Sequence, residues 1–197
     1  LFASTSEVYG QFISDPISED SLGVLNTDSI RSCYFESKRA AESLCFDFSR
    51  KYDLQIKVVR IFNTYGPMMS LSDGRVISSF IKMGLNKESF TIFGDGEQTR
   101  SFCYISDLLN GLSKLMNSTF KGPINLGNPN QITIKELAYK ISNKLNLDIN
   151  FEYKPQLADE PRFRKPSILL AKEVLNWEPI ISIDQGLDLM INYYINY

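Results

Sequence analysis

The sequence predicts an α/β protein built on a largely parallel sheet, and three observations carry that expectation. Short β-prone apolar runs alternate with segments of helical periodicity along the chain. Two helical segments open on reciprocal capping sequences, Thr133-Ile134-Lys135-Glu136 and Ser182-Ile183-Asp184-Gln185. The composition suits a buried core: 197 residues, 43% hydrophobic, 12% aromatic and 22% charged.

Each element follows in order. Residues 1–5 read as the end of a strand. A strand that opens on Leu1 rather than Met gives the expectation of a fragment, with a partner strand upstream. Residues 6–30 are polar and punctuated by Gly10, Pro16 and Gly23, a length that marks a functional or disordered loop. Residues 31–52 predict a helix, because Ala40, Ala41, Leu44, Cys45 and Phe48 recur at helical spacing. Residues 55–61 read as a buried strand, and residues 63–74 as a loop. A helix is expected over 76–85, then short strands at 91–93 and 101–105 around Gly94-Asp95-Gly96. Residues 106–116 predict a helix, and Pro123-Ile124-Asn125-Leu126 a strand closed by Gly127.

Composition excludes several functions. Lys+Arg is 21 against 23 for Asp+Glu, a net charge of -2, so no basic excess points to nucleic acid. The chain has no histidine, which removes His-based catalysis. With three widely spaced cysteines (Cys33, Cys45, Cys103), neither a metal site nor a disulfide framework is expected. No run of about 18 apolar residues could span a bilayer, and no charged n-region followed by an apolar h-region marks a signal peptide in this sequence. These features read as a soluble protein of a reducing, cytoplasmic compartment with no membrane partner.

Two clusters carry chemistry. Tyr34 and Lys38 stand four residues apart on the first helix and share a face. A free phenol ionises near pH 10, and a nearby ammonium favours the phenolate, making a base for a sugar hydroxyl. Such a pair also recurs by chance in many helices. Ser4-Thr5-Ser6-Glu7-Val8-Tyr9-Gly10 follows the first strand, where side chains of an open α/β sheet face a ligand crevice. It reads equally as a turn rich in hydroxyls.

Four ordered features together resemble the extended short-chain dehydrogenase/reductase family of nucleotide-sugar enzymes. They are the Thr5 cluster, Tyr34-x3-Lys38, Arg60-Ile61-Phe62-Asn63-Thr64-Tyr65-Gly66-Pro67, and Gly94-Asp95-Gly96-Glu97-Gln98-Thr99-Arg100-Ser101-Phe102 followed by Ile105-Ser106-Asp107-Leu108. Further stretches resemble the UDP-glucuronate decarboxylase branch: Ser72-Asp73-Gly74-Arg75-Val76, Asn125-Leu126-Gly127-Asn128-Pro129, Asp159-Glu160-Pro161-Arg162-Phe163-Arg164-Lys165-Pro166 and Asn176-Trp177-Glu178-Pro179. Ser6 stands where the similar 4,6-dehydratases carry an Asp, and the 4-epimerases usually lack a Glu at Glu7.

The resemblance implies the C-terminal part of a Rossmann-like, doubly wound parallel sheet plus a small α/β substrate-binding region. Residues 1–66 would belong to the NAD-binding domain and 67–197 mainly to the nucleotide-sugar region, with segments returning to the first. The family's N-terminal βαβ unit, with its Gly-rich phosphate turn, is missing, so weak NAD binding and an unpaired sheet edge are expected. The implied cofactor is NAD and the implied substrate UDP-glucuronate, decarboxylated to UDP-xylose through a 4-keto sugar. A 4-epimerase, a 4,6-dehydratase or a non-catalytic binder on the same fold are the alternatives.

By the same resemblance, Tyr34 takes the 4-hydroxyl proton, Lys38 holds the nicotinamide ribose, Thr5 bonds the 4-oxygen, and Glu7 and Arg164 serve decarboxylation. Thr64 and Arg75 match cofactor positions. Ser6, Asn63, Phe93 and Arg100 match substrate positions, Phe93 against uracil and Arg100 near the phosphates. Read alone, Arg60 and Arg75 suit solvated surface charges, Phe93 a core residue and Asn63 a turn cap. Met68 and Ser79 depart from the usual Arg and Asn. Relatives pair through the Tyr34 helix, so a homodimer is expected, with Ala41, Leu44, Cys45 and Phe48 at that surface or against the chain's own sheet.

Overall fold

Short strands, singly or in runs of two or three, are separated by amphipathic helices along the chain. The computed structural model describes residues 1–10, 16–148, 150–156 and 164–196. The elements are β1 (Phe2–Thr5), a 3-10 turn (Ser6–Tyr9), α1 (Ser32–Tyr52), β2 (Val58–Ile61), β3 (Thr64–Tyr65), α2 (Val76–Leu85), β4 (Phe90–Phe93) and β5 (Thr99–Ser101). Then follow β6 (Cys103–Tyr104), α3 (Ile105–Asn117), β7 (Pro123–Leu126), β8 (Gln131–Thr133), α4 (Ile134–Lys144), β9 (Phe151–Lys154), α5 (Leu169–Leu175) and α6 (Ile183–Asn196).

Strands β1, β2 and β7 form one parallel sheet in that order. The register aligns Thr5, Ile61 and Leu126, so three strands end at one level and their following turns form a crest. Gly127 lies at that crest because a Cβ there would stand 2.7 Å from Phe62 Cβ. Beneath the crest, Val59, Ile124, Leu126, Leu108, Leu115, Ala171 and Trp177 make one core. A second core, around Phe80, Ile81, Phe90, Ile92, Leu137, Ile141 and Leu187, joins α2, α4 and α6 to the pair β4–β9.

Both capping sequences do what their residues predict. Thr133 Oγ1 accepts from the Glu136 amide and Glu136 Oε2 from the Thr133 amide, each at 3.0 Å. Ser182 and Gln185 repeat the exchange at 3.0 and 3.2 Å. Each box satisfies backbone donors that a helix start leaves open.

Three expectations need correction. The single strand expected over 101–105 breaks at Phe102, whose side chain turns into the second core at 8% exposure. Residues 99–101 pair antiparallel with β8, while residues 103–104 pair parallel with β3. The sequence reading places no element over 151–154 or 169–175, where the structure has β9, with three of four residues exposed, and α5, an apolar helix of seven residues. The four apolar positions of α1 divide: Leu44 is 58% and Phe48 51% exposed, while Ala41 and Cys45 are half-buried.

Candidate active site

The crest gathers much of the anticipated chemistry. Thr5 ends β1 and caps the 3-10 turn, accepting the Glu7 amide at 3.2 Å. Thr5 and Ser6 are buried beside it. Glu7 is gripped by two arginines. Arg31, just before α1, forks onto its carboxylate at 2.6 and 3.2 Å, and the Arg164 guanidinium stands 3.8 Å away. The fork geometry is the strong form of carboxylate recognition. Residues 159–163 of the basic stretch lie outside the described residues, but Arg164 reaches the site across the chain.

Tyr34 and Lys38 lie on the same face of α1. Lys38 Nζ is 6.0 Å from the Tyr34 ring centre and donates to the Ala3 carbonyl at 2.9 Å, on the second residue of β1. The Arg31 guanidinium is 5.9 Å from the same ring, so one cation links Tyr34 to Glu7. Tyr34 is 42% exposed, leaving its phenol open to a ligand.

Other predicted residues sit further out. Thr64 lies on β3 and its hydroxyl donates to the Phe62 carbonyl. The Asn63 carbonyl accepts from the Cys103 amide. Phe93, at the end of β4, is 36% exposed and so is not plain core. Arg100 is buried on β5 and donates to its neighbour's carbonyl at 2.8 Å. Arg75 is exposed and pairs with Asp73 at 3.6 Å; these contacts do not bring it to Tyr34 or Lys38. A groove of about 550 Å³ beside α2, β4 and β9 contains Ser79, Lys82, Thr91 and Glu152 and none of the predicted site residues.

Sequence reasoning missed Arg31 and the network beneath the crest. Arg60, readable as a surface charge, is half-buried and bonded to Glu42 on α1, with a closest approach of 2.7 Å. Burial works against its charge, but Glu42 and Tyr9 outweigh it and hold the guanidinium charged. Tyr9 lies inside, its phenol pushed up to about 12 by burial against the pull of Arg60. The Cys103 thiol is likewise pushed up to about 12 by burial, which makes it inert as a nucleophile. Glu42 continues the spacing Tyr34, Lys38, Glu42, which was its one signal in the sequence. Among the described residues no cluster could hold a metal, and no helix is long and apolar enough to cross a membrane.

Comparison with known proteins gives the geometry a context. The NAD dependent epimerase/dehydratase family matches residues 1–127. UDP-glucuronic acid decarboxylase 2 of Arabidopsis thaliana is 48% identical over 191 residues, which cover 97% of this chain and 43% of that protein. The chain spans about half the length of the curated relatives it matches. Among solved structures, a UDP-glucose 4-epimerase with UDP-glucose from Thermotoga maritima superposes with a TM-score of 0.92 at 28% identity, covering 99% of this chain and 62% of that one. A UDP-glucuronic acid 4-epimerase from Bacillus cereus, in complex with UDP-glucuronic acid and NAD, gives 0.87 at 28% identity, covering 98% and 60%.

Proposed function

The chain belongs to the NAD dependent epimerase/dehydratase family, and from that premise we propose that it is part of an enzyme that decarboxylates UDP-glucuronate to UDP-xylose with NAD. The observation that carries this reading is Glu7 held between Arg31 and Arg164 beside Thr5, on a chain 48% identical to a UDP-glucuronic acid decarboxylase. Residues 1–66 are assigned to the NAD-binding domain and 67–197 mainly to the nucleotide-sugar region.

The residues present fit the nicotinamide end of NAD. A phenol and an ammonium share one face of α1 beside β1, and Lys38 commits one of its three donors to Ala3. The sequence holds no Gly-x-x-Gly-x-x-Gly turn, so the pyrophosphate is not assigned to these residues. Bound NAD supplies a hydride acceptor at C4 and later returns the hydride.

Tyr34 takes the proton of the sugar 4-hydroxyl as the C4 hydride leaves. Lys38 holds the nicotinamide ribose and places positive charge beside the phenol. Thr5 bonds the 4-oxygen. The 4-ketone is then β to the C5 carboxylate. The C5–carboxylate bond breaks, CO2 leaves, and the electron pair passes into the carbonyl as an enolate. Arg164 anchors the departing carboxylate and Glu7 orients the groups that reprotonate C5. Reduction restores the 4-hydroxyl, and Tyr34 returns its proton. Ser6, Asn63, Phe93 and Arg100 are assigned to the sugar and nucleotide, Thr64 and Arg75 to the cofactor side.

The apolar face of α1 supports a homodimer, with Leu44 and Phe48 exposed on it. The absence of a spanning helix among the described residues fits a cytoplasmic location.

The full-length protein, given UDP-glucuronate and NAD+ and followed by mass spectrometry, should lose CO2 to give a UDP-pentose. Tyr34→Phe should abolish that loss. A product of unchanged mass would favour 4-epimerisation, the reading that the superposition on 4-epimerases supports.

A further inference from the structure

Helix α1 carries Tyr34 and Lys38, and within this chain few of its side chains are buried. Of its 21 residues, two are buried, Phe35 and Glu42. One of those is a carboxylate. Its partners are fixed by the sheet. Ser4, Arg60 and Asn125 occupy one register row across β1, β2 and β7. Glu42 accepts from Ser4 Oγ at 2.5 Å and from Arg60 at 2.7, 3.1 and 3.2 Å. The remaining Arg60 donors reach the Tyr9 hydroxyl and the Glu19 carbonyl, each at 3.0 Å. Tyr9 belongs to the turn that carries Glu7 and donates to Asn125 Oδ1 at 2.6 Å.

One guanidinium therefore ties together the sheet, the helix of Tyr34 and Lys38, and the turn of Glu7. The spacing Tyr34, Lys38, Glu42 puts all three on one helix face, two turns from end to end. The second anchor of that face, Lys38 on Ala3, is a single bond from an exposed ammonium. Sliding or rotating α1 would leave a buried carboxylate and a half-buried guanidinium unpaired, which the protein interior resists.

We propose that Glu42 and Arg60 are positioning residues of this site: their ion pair sets where Tyr34 and Lys38 stand beside β1. The inference rests on the decarboxylase reading only for its kinetic test.

The test uses the full-length protein labelled with meta-fluorotyrosine, with the Tyr34 resonance assigned through Tyr34→Phe. Glu42→Gln should move or broaden that resonance. It should also lower kcat by about 10- to 100-fold while KM for the nucleotide sugar stays within about threefold, since sub-ångström misplacement is felt in the chemical step. Leu187→Ala, in the second core, lowers thermal stability without touching the pair and should leave both readouts in place. If Glu42→Gln does not fold, the double variant Glu42→Gln/Arg60→Met removes both charges together and should show the same two changes. An unmoved resonance with kcat within about twofold of the unaltered protein, or an equal response in Leu187→Ala, overturns the proposal. If the unaltered protein releases no CO2, the decarboxylase reading falls and the fluorine spectrum still decides the positioning role.

Discussion

Replacing Tyr9 by phenylalanine should destabilise the folded protein by about 2 kcal/mol near neutral pH and reduce its sensitivity to alkali. Tyr9 is 2% exposed, and its hydroxyl donates to Asn125 Oδ1 at 2.6 Å and accepts from Arg60 at 3.0 Å. A neutral bond contributes about 0.5–1.5 kcal/mol and a bond to a charged group about 1.5–3. Arg60 keeps Glu42 and the Glu19 carbonyl, so its loss is partial. Asn125 is 0% exposed, and its side-chain oxygen loses the Tyr9 donor. The sum is near 2 kcal/mol, or a fall of about 4–8 °C in Tm for a protein of this size.

The alkaline effect follows from the same burial. It raises the phenol from its ordinary 10.0 to about 12, so the folded state binds the proton more tightly than the unfolded chain does. That stabilisation is complete below pH 10 and is lost as pH rises through about 12, a loss of at most about 3 kcal/mol. Phenylalanine has no proton to lose. Tyr65, Tyr104 and Cys103, also raised by burial, remain in both proteins and cancel in the comparison. Urea unfolding followed by circular dichroism, near neutral pH and then between pH 10 and 12, measures both effects. Identical midpoints at neutral pH, or parallel declines in alkali, would refute the reasoning.

Gly186→Ala should destabilise, although glycine to alanine inside a helix normally gains about 1 kcal/mol. The new Cβ would overlap the Tyr65 hydroxyl and stand 2.9 Å from Tyr104 Cδ2, both in the second core, for a net loss of about 1–3 kcal/mol. A rise in Tm would count against that packing. Thr133→Ala should lose about 1 kcal/mol by opening the capping box of α4, and Thr133→Ser should retain most of it, as thermal melts would show. Arg31→Ala should alter stability by less than about 1 kcal/mol, because the Arg31 side chain is 68% exposed. In the full-length enzyme it should still lower kcat, because Glu7 loses its bidentate partner; an unchanged kcat would remove Arg31 from the site.

The repeating patterns were legible and the long-range ones were not. Local apolar patterns predicted β2, α2 and β7, because those segments bury a face whose spacing is written locally, and helical spacing marked α1 although few of its residues are buried in this chain. The two capping boxes were legible for the same reason, each closing within four residues. Strand β9 was not, because three of its four residues are exposed and its pairing with β4 crosses the whole of α3 to α4. Phe102 hides a break between sheets, since an apolar residue inside a β-prone run gives no sign of turning toward a different core.

The site divides along the same line. The sequence by itself determined that Tyr34 and Lys38 share a helix face and that Thr5 and Glu7 follow a strand, since both are matters of spacing along one element. Only the tertiary structure decided that Arg164, 157 positions from Glu7 (164 minus 7), comes within 3.8 Å of it. Only the tertiary structure turned Arg60 from a readable surface charge into the half-buried partner of Glu42. A charge carries no periodic signature of burial. Its role is fixed by which partner the fold brings to it, and that partner lies on another element.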